Sequence, residues 1–109
     1  MFLARLDLAM RHAFHLHLVS DSTGETTHSV ARACLAQFSN VEPVEHAWPM
    51  ARTENAMDVV LDGIKDKPGP VMFTLVNDQL RDKLLDGCRR LKVPCISVLD
   101  PVITAFGKF

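Results

Sequence analysis

The 109-residue chain has no tyrosine, one tryptophan and only three cysteines, and these shortages exclude whole classes of protein. An odd number of cysteines without a CxxC pair supplies neither a disulfide framework nor a zinc cluster. Cys34, Cys88 and Cys95 fall at apolar positions of expected helices and a strand, where a thiol is a small hydrophobe, so a reducing, cytoplasmic setting is expected. Neither sign of charge is in excess. Twelve Lys and Arg face thirteen Asp and Glu without a long run of either, which names no nucleic acid and no membrane surface as partner. No apolar stretch approaches the ~18 residues of a membrane-spanning helix, while a hydrophobic content of 48% is too high for a disordered chain. A phosphate-binding P-loop is missing too: no glycine stands five residues before Gly107, and no Ser or Thr follows Lys108.

What is present is organised around Phe14 to Thr26, FHLHLVSDSTGET, a strand running through a tight turn into a helix. Phe14, Leu16 and Leu18 alternate with His15 and His17 at the period of two of a pleated strand. Ser22 is the expected N-cap, with Glu25 three positions on completing a capping box, and Gly24 allows the backbone to bend and to approach a ligand. Such a turn presents unpaired N–H groups at the positive end of a helix, the arrangement that holds phosphate. Asp21 and Glu25 oppose that use by placing negative charge where a phosphate would sit, unless a Mg²⁺ ion comes between.

The same rhythm recurs along the chain. Residues 1–13 are an extension with a short helical pattern at Leu3, Leu6 and Met10, and residues 14–109 make one α/β domain, near the usual size of about 100 to 150 residues. Val30, Cys34 and Phe38, with Ala31 and Leu35, form the expected packing face of a first helix. A second strand runs from Val41 to Trp48; Thr53 caps a helix whose stripe is Met57, Val60, Leu61 and Ile64; Lys67-Pro68-Gly69-Pro70 breaks it. Val71 to Val76 is a continuous apolar run, the mark of a strand covered on both faces. Asn77 or Asp78 caps a third helix with Leu80, Leu84, Cys88 and Leu91 inward, Val93 to Leu99 is a fourth strand, and Asp100-Pro101 opens a final helix. This alternation predicts a three-layer, four-stranded parallel sheet of flavodoxin or Rossmann type, order 2-1-3-4, with helices on both faces. The switch point between the first and third strands then gathers Asp21, Ser22, Thr23, Gly24, Glu25, Thr26, Arg52 and Asn77 at one edge as candidate anion-binding residues, with Asp78 and Asp100 nearby.

Asp21 to Thr26 approaches the T-x-T-G-x-T phosphate loop of flavodoxins, but Asp21 replaces a hydroxyl, and the chain offers one tryptophan and no tyrosine with which to sandwich a flavin ring. His15 and His17 share a strand face at a spacing open to zinc, yet no third ligand follows at clear spacing, and with His28 and His46 isolated they read as core or edge histidines and no metal site is expected. Asp21-Ser22 lacks the second aspartate of a phosphatase motif, and Cys34 on a packing face is no nucleophile.

The runs FHLHLVSDSTGET, VARACLAQF, VEPVEHAWPMART and PVMFTLVNDQLRDKL resemble the amino-terminal half of the pyruvate, phosphate dikinase and phosphoenolpyruvate synthase regulatory proteins, over about residues 14–106. The resemblance implies a bifunctional serine/threonine kinase and phosphorylase that phosphorylates a threonine of the dikinase with ADP as donor. It reverses the modification by attack of inorganic phosphate, releasing pyrophosphate. It also implies that the nucleotide-binding P-loop lies in a carboxyl-terminal half, so that no catalytic residue is expected among these 109 and the chain alone is expected to be inactive. The alternative is a stand-alone flavodoxin-like module binding an anion or flavin. Which of dikinase or synthase is the partner, and whether the chain forms homo-oligomers, the sequence leaves open.

Overall fold

The computed structural model describes residues 12–109, and the helical pattern expected at Leu3, Leu6 and Met10 lies outside them. Four strands, β1 (His12–Ser20), β2 (Val41–Trp48), β3 (Val71–Thr74) and β4 (Cys95–Ser97), form one parallel sheet in the expected order β2-β1-β3-β4. Four helices alternate with them: α1 (Glu25–Leu35), α2 (Glu54–Asp66), α3 (Asp78–Leu91) and α4 (Asp100–Phe106). Strand β1 starts two residues earlier than the pattern from Phe14 indicates, because His12 N–H is paired to the Asn40 carbonyl at 2.9 Å where β2 begins.

The period of two in β1 sorts its side chains between two cores. Leu16 and Leu18 point to one face, where they meet Ala31 of α1, with Phe14, Leu35 and Met72 at the margin. Val19 joins the other and larger core, made with Met57, Val60 and Ile64 of α2, Leu80, Leu84 and Cys88 of α3, and Val71 and Phe73 of β3. Sheet between α1 on one side and α2 with α3 on the other is the geometry that right-handed crossovers impose on this strand order. Thr53 and Asn77 cap α2 and α3 as expected, their side-chain oxygens accepting from Ala56 N–H and Leu80 N–H at 3.0 Å.

The buried line of α1 differs from the expected one. Thr27 and Ala31 are buried, whereas Cys34 is exposed and Phe38 lies beyond the helix, 60% exposed. Val30, Cys34 and Phe38 form one edge of a wide apolar stripe, but the main partners of α1 are β1 and β3, and a sheet covers only a narrow line of a single helix. Small residues at Thr27 and Ala31 let the helix approach Leu16 and Leu18 closely.

Strand β4 is also shorter than Val93 to Leu99. Pro94 has no N–H to give, although its carbonyl accepts from Val71 N–H, and the chain bends after Ser97 while Val98 N–H still reaches the Phe73 carbonyl. Asp100 is the first residue of α4 and not its cap, because its carboxylate is paired with Arg81. At the opposite end of the sheet, the Lys67-to-Pro70 breaker passes so close to β1 that a Cβ on Gly69 would lie 1.8 Å from the His15 carbonyl oxygen. Among the described residues no helix is long and apolar enough to cross a membrane.

Candidate functional site

The carboxyl ends of β1 and β3 are joined by a small polar network that the turn pattern alone does not show. Buried Ser20 accepts at Oγ from Ser22 N–H at 3.0 Å and from the Thr74 hydroxyl at 3.2 Å. Asp21 follows, its N–H donating to the Thr74 carbonyl, its Oδ2 accepting from Val76 N–H at 3.0 Å, and its own carbonyl accepting from Arg52 Nε at 2.7 Å. One aspartate thereby ties the β1, β3 and β2–α2 connections together, and the neighbouring Ala51 N–H adds a bond to the Ser20 carbonyl.

The turn after Asp21 departs from the expected capping box. Helix α1 begins at Glu25, its N-cap is Gly24 at φ +89°, and no side chain caps it. Ser22 is held three residues ahead of the first helical residue by its bond to Ser20 and by Met50 N–H donating to its carbonyl. Glu25 is therefore the first helical residue and cannot reach back as the third. The left-handed angle at Gly24 favours glycine, and the buried Thr27 hydroxyl donates to the Gly24 carbonyl at 2.9 Å. Because no side chain occupies them, the first N–H groups of α1 stay available at the positive helix end, beside the Glu25 carboxylate.

Six of the eight candidates divide between two depressions. Asp21, Arg52 and Asn77 line a groove of about 380 Å³ with Val76 and Leu80. Thr23, Gly24 and Glu25 line a separate hollow of about 210 Å³ with Leu18, His28, Ala47, Trp48 and Pro49. Ser22 lies between the two in sequence, and Thr26 lines neither. Within the groove, Asn77 Oδ1 is committed to its cap and Asp21 Oδ2 to Val76, which leaves the outer guanidinium nitrogens of Arg52 and the Asn77 amide nitrogen for a ligand. That set suits a small oxyanion. Arg81, a second cation at this edge, is neutralised by Asp78 at 3.4 Å and by Asp100.

The histidines are arranged differently from their isolated appearance in sequence. Parallel register sets His17 opposite His46, their rings stacked at 4.7 Å between centroids, and His15 Nδ1 lies 2.9 Å from His46 Nε2. Trp48 Nε1–H donates to His17 Nδ1 at 3.0 Å, so His17 carries its proton on Nε2 and gives it to the Lys67 carbonyl at 2.7 Å. Both nitrogens of His17 are thus engaged and neither can take a metal. Burial holds His17 below the usual imidazole pKa, against the Lys67 carbonyl, with His46 and His15 adding to the depression. His46 is lowered by burial and by His15 and Lys67. His28 has partners as well, accepting from Arg32 Nε at 3.0 Å and lying 3.7 Å from Glu45. Among the described residues no three His, Cys, Asp or Glu side chains come together to hold a metal.

A profile of the kinase/pyrophosphorylase family matches residues 16–109. Three of the similar proteins, all provisionally named pyruvate, phosphate dikinase regulatory protein, come from Paramagnetospirillum magneticum, Bradyrhizobium diazoefficiens and Caulobacter vibrioides, at 53%, 52% and 48% identity over 96 residues. Each alignment covers 88% of this chain and 31%, 34% and 30% of the relative, so the chain spans about a third of the length of these curated relatives. With the profile matching nearly all of its described residues, the chain belongs to the kinase/pyrophosphorylase family.

Proposed function

We propose that this chain is the amino-terminal part of a bifunctional enzyme that regulates pyruvate, phosphate dikinase or phosphoenolpyruvate synthase. The enzyme phosphorylates a threonine of its target with ADP as donor, and inorganic phosphate removes the group as pyrophosphate. The observation that carries this reading is the half-identity to relatives named for dikinase regulation, extending across both depressions at the carboxyl edge of the sheet.

The residues at that edge do not fit a complete ADP and Mg²⁺ site. A bound nucleotide needs a cradle of backbone N–H groups with a lysine, and its Mg²⁺ needs oxygen ligands, whereas the groove has one carboxylate, half committed, and one free arginine end. The donor site therefore belongs to the part of the enzyme outside this stretch. What the edge fits is a small anion, such as inorganic phosphate or the phosphorylated target residue, met by Arg52 and Asn77 in the groove or by the open amino end of α1 in the separate hollow. A stand-alone flavin module finds no such support, since the single indole, Trp48, is bonded and stacked against His17.

Two measurements test this. Replacing the matching stretch of the Paramagnetospirillum protein with residues 12–109 should give a chimera that phosphorylates dikinase with ADP, while residues 1–109 alone should not exceed a no-enzyme control. A folded chimera without that activity would sink the reading. In calorimetry, phosphate or pyrophosphate should release heat with the wild-type chain and much less with Arg52→Ala or Gly24→Val; no heat in any titration, with or without Mg²⁺, would leave the edge as a structural turn.

A further inference from the structure

The two edges of the sheet are built differently. On the β2 side, Glu42, Pro43 and Glu45 supply the charges and the proline with which natural sheets discourage further pairing. The β4 strand carries no charge, and the proline before it, Pro94, turns its backbone to β3 and not to the open edge. Val71 N–H donates to the Pro94 carbonyl and Val98 N–H to the Phe73 carbonyl, so the even-numbered residues of this stretch direct their backbone groups to β3. By the alternation of a parallel ladder, the N–H and carbonyl groups of Cys95 and Ser97 point away from the sheet. Ile96 between them is 47% exposed.

Helix α4 is left equally uncovered. It has seven residues and no buried side chain, and Val102, Ile103 and Phe106 are 47%, 60% and 74% exposed. A helix this short does not sustain itself without packing. The Arg81–Asp100 ion pair sets its start beside the start of α3, on the face that α2 and α3 already cover. A right-handed connection leaving β4 on that face returns on the far side of β4, next to the open edge.

From this we propose that the outer edge of β4 and the apolar side of α4 receive a fifth parallel strand and the body attached to it, supplied by the polypeptide that the relatives carry outside the matched third of their length. The handedness argument favours a covalently continuing strand over a second copy of the chain, which would meet β4 across a two-fold axis in antiparallel pairing. The proposal rests on membership of the family and not on the phosphotransfer reaction, so an inactive chimera leaves it standing.

Its test uses the 109-residue chain and the same chimera. In a Cys34→Ser background, Ile103→Cys should react with a maleimide quickly in the 109-residue chain and at least ten times more slowly in the chimera, as read at position 103 by peptide mass spectrometry. In unsubstituted proteins, amide exchange at Cys95 and Ser97 should slow by a similar factor on going to the chimera, whereas Ile96 should be protected in both; this second readout holds even where the cysteine variant fails to fold. Equal rates in the two proteins would overturn the proposal. Protection in the 109-residue chain that grows with its concentration would overturn it in favour of a second copy.

Discussion

His17 holds one proton on a defined nitrogen, inside the protein, between a tryptophan donor and a carbonyl acceptor. Charging it would put a second N–H against Trp48 Nε1–H, next to two further imidazoles, which is why burial and those neighbours keep its pKa below 6.5. The unfolded chain takes up that proton near pH 6.5 and the folded chain does not. Stability from this group is therefore complete above pH 6.5 and is lost as pH falls below it, with a slope of at most about 1.4 kcal/mol per pH unit. Thermal melts between pH 7.5 and 5.5 should show a falling midpoint, and His17→Gln should melt lower at pH 7.5 but with a flatter dependence. A variant with an undiminished slope would assign the effect to other groups.

At the scale of elements, the caps of α2 and α3 and the turn before α1 make a matched comparison. Thr53 and Asn77 each satisfy an N–H of their helix, so Thr53→Ala and Asn77→Ala should each cost about 1 kcal/mol in urea denaturation. Ser22 has the same chemistry in sequence, yet its hydroxyl caps nothing, and Ser22→Ala should stay within about 0.5 kcal/mol of the wild type. The reversed order of costs would restore the capping box. Both successful caps stand one residue before their helix, whereas the first turn is set by Ser20 at the end of β1 and by Met50, which bonds the Ser22 carbonyl from beyond the end of β2. A cap is legible when only local groups compete for it.

Across the whole molecule, two cores on opposite faces of one sheet share β1 and β3, so the loss of either exposes the strands of the other. The 109-residue chain should therefore unfold in one transition, with circular dichroism and the fluorescence of Trp48 following the same curve. Trp48 reports on the core of α2 and α3, and a fluorescence transition well before the loss of helix would show that this half melts separately. The unpartnered α4 adds little to that unit, since none of its side chains is buried.

The alternation of apolar residues, the breaker at Lys67 to Pro70 and the local caps determined the strands and the helices, and the flavodoxin-like fold type that their alternation matches supplied the order 2-1-3-4. Each of those signals is contained within a few neighbouring residues. Tertiary structure decided which line of α1 is buried, the partition of six of the eight candidates between two depressions, and the histidine cluster between β1 and β2. These depend on partners far along the chain: Trp48 lies 31 positions from His17, and Val76 lies 55 from the carboxylate of Asp21. No local pattern records a hydrogen bond that exists only after β1 has been placed between β2 and β3.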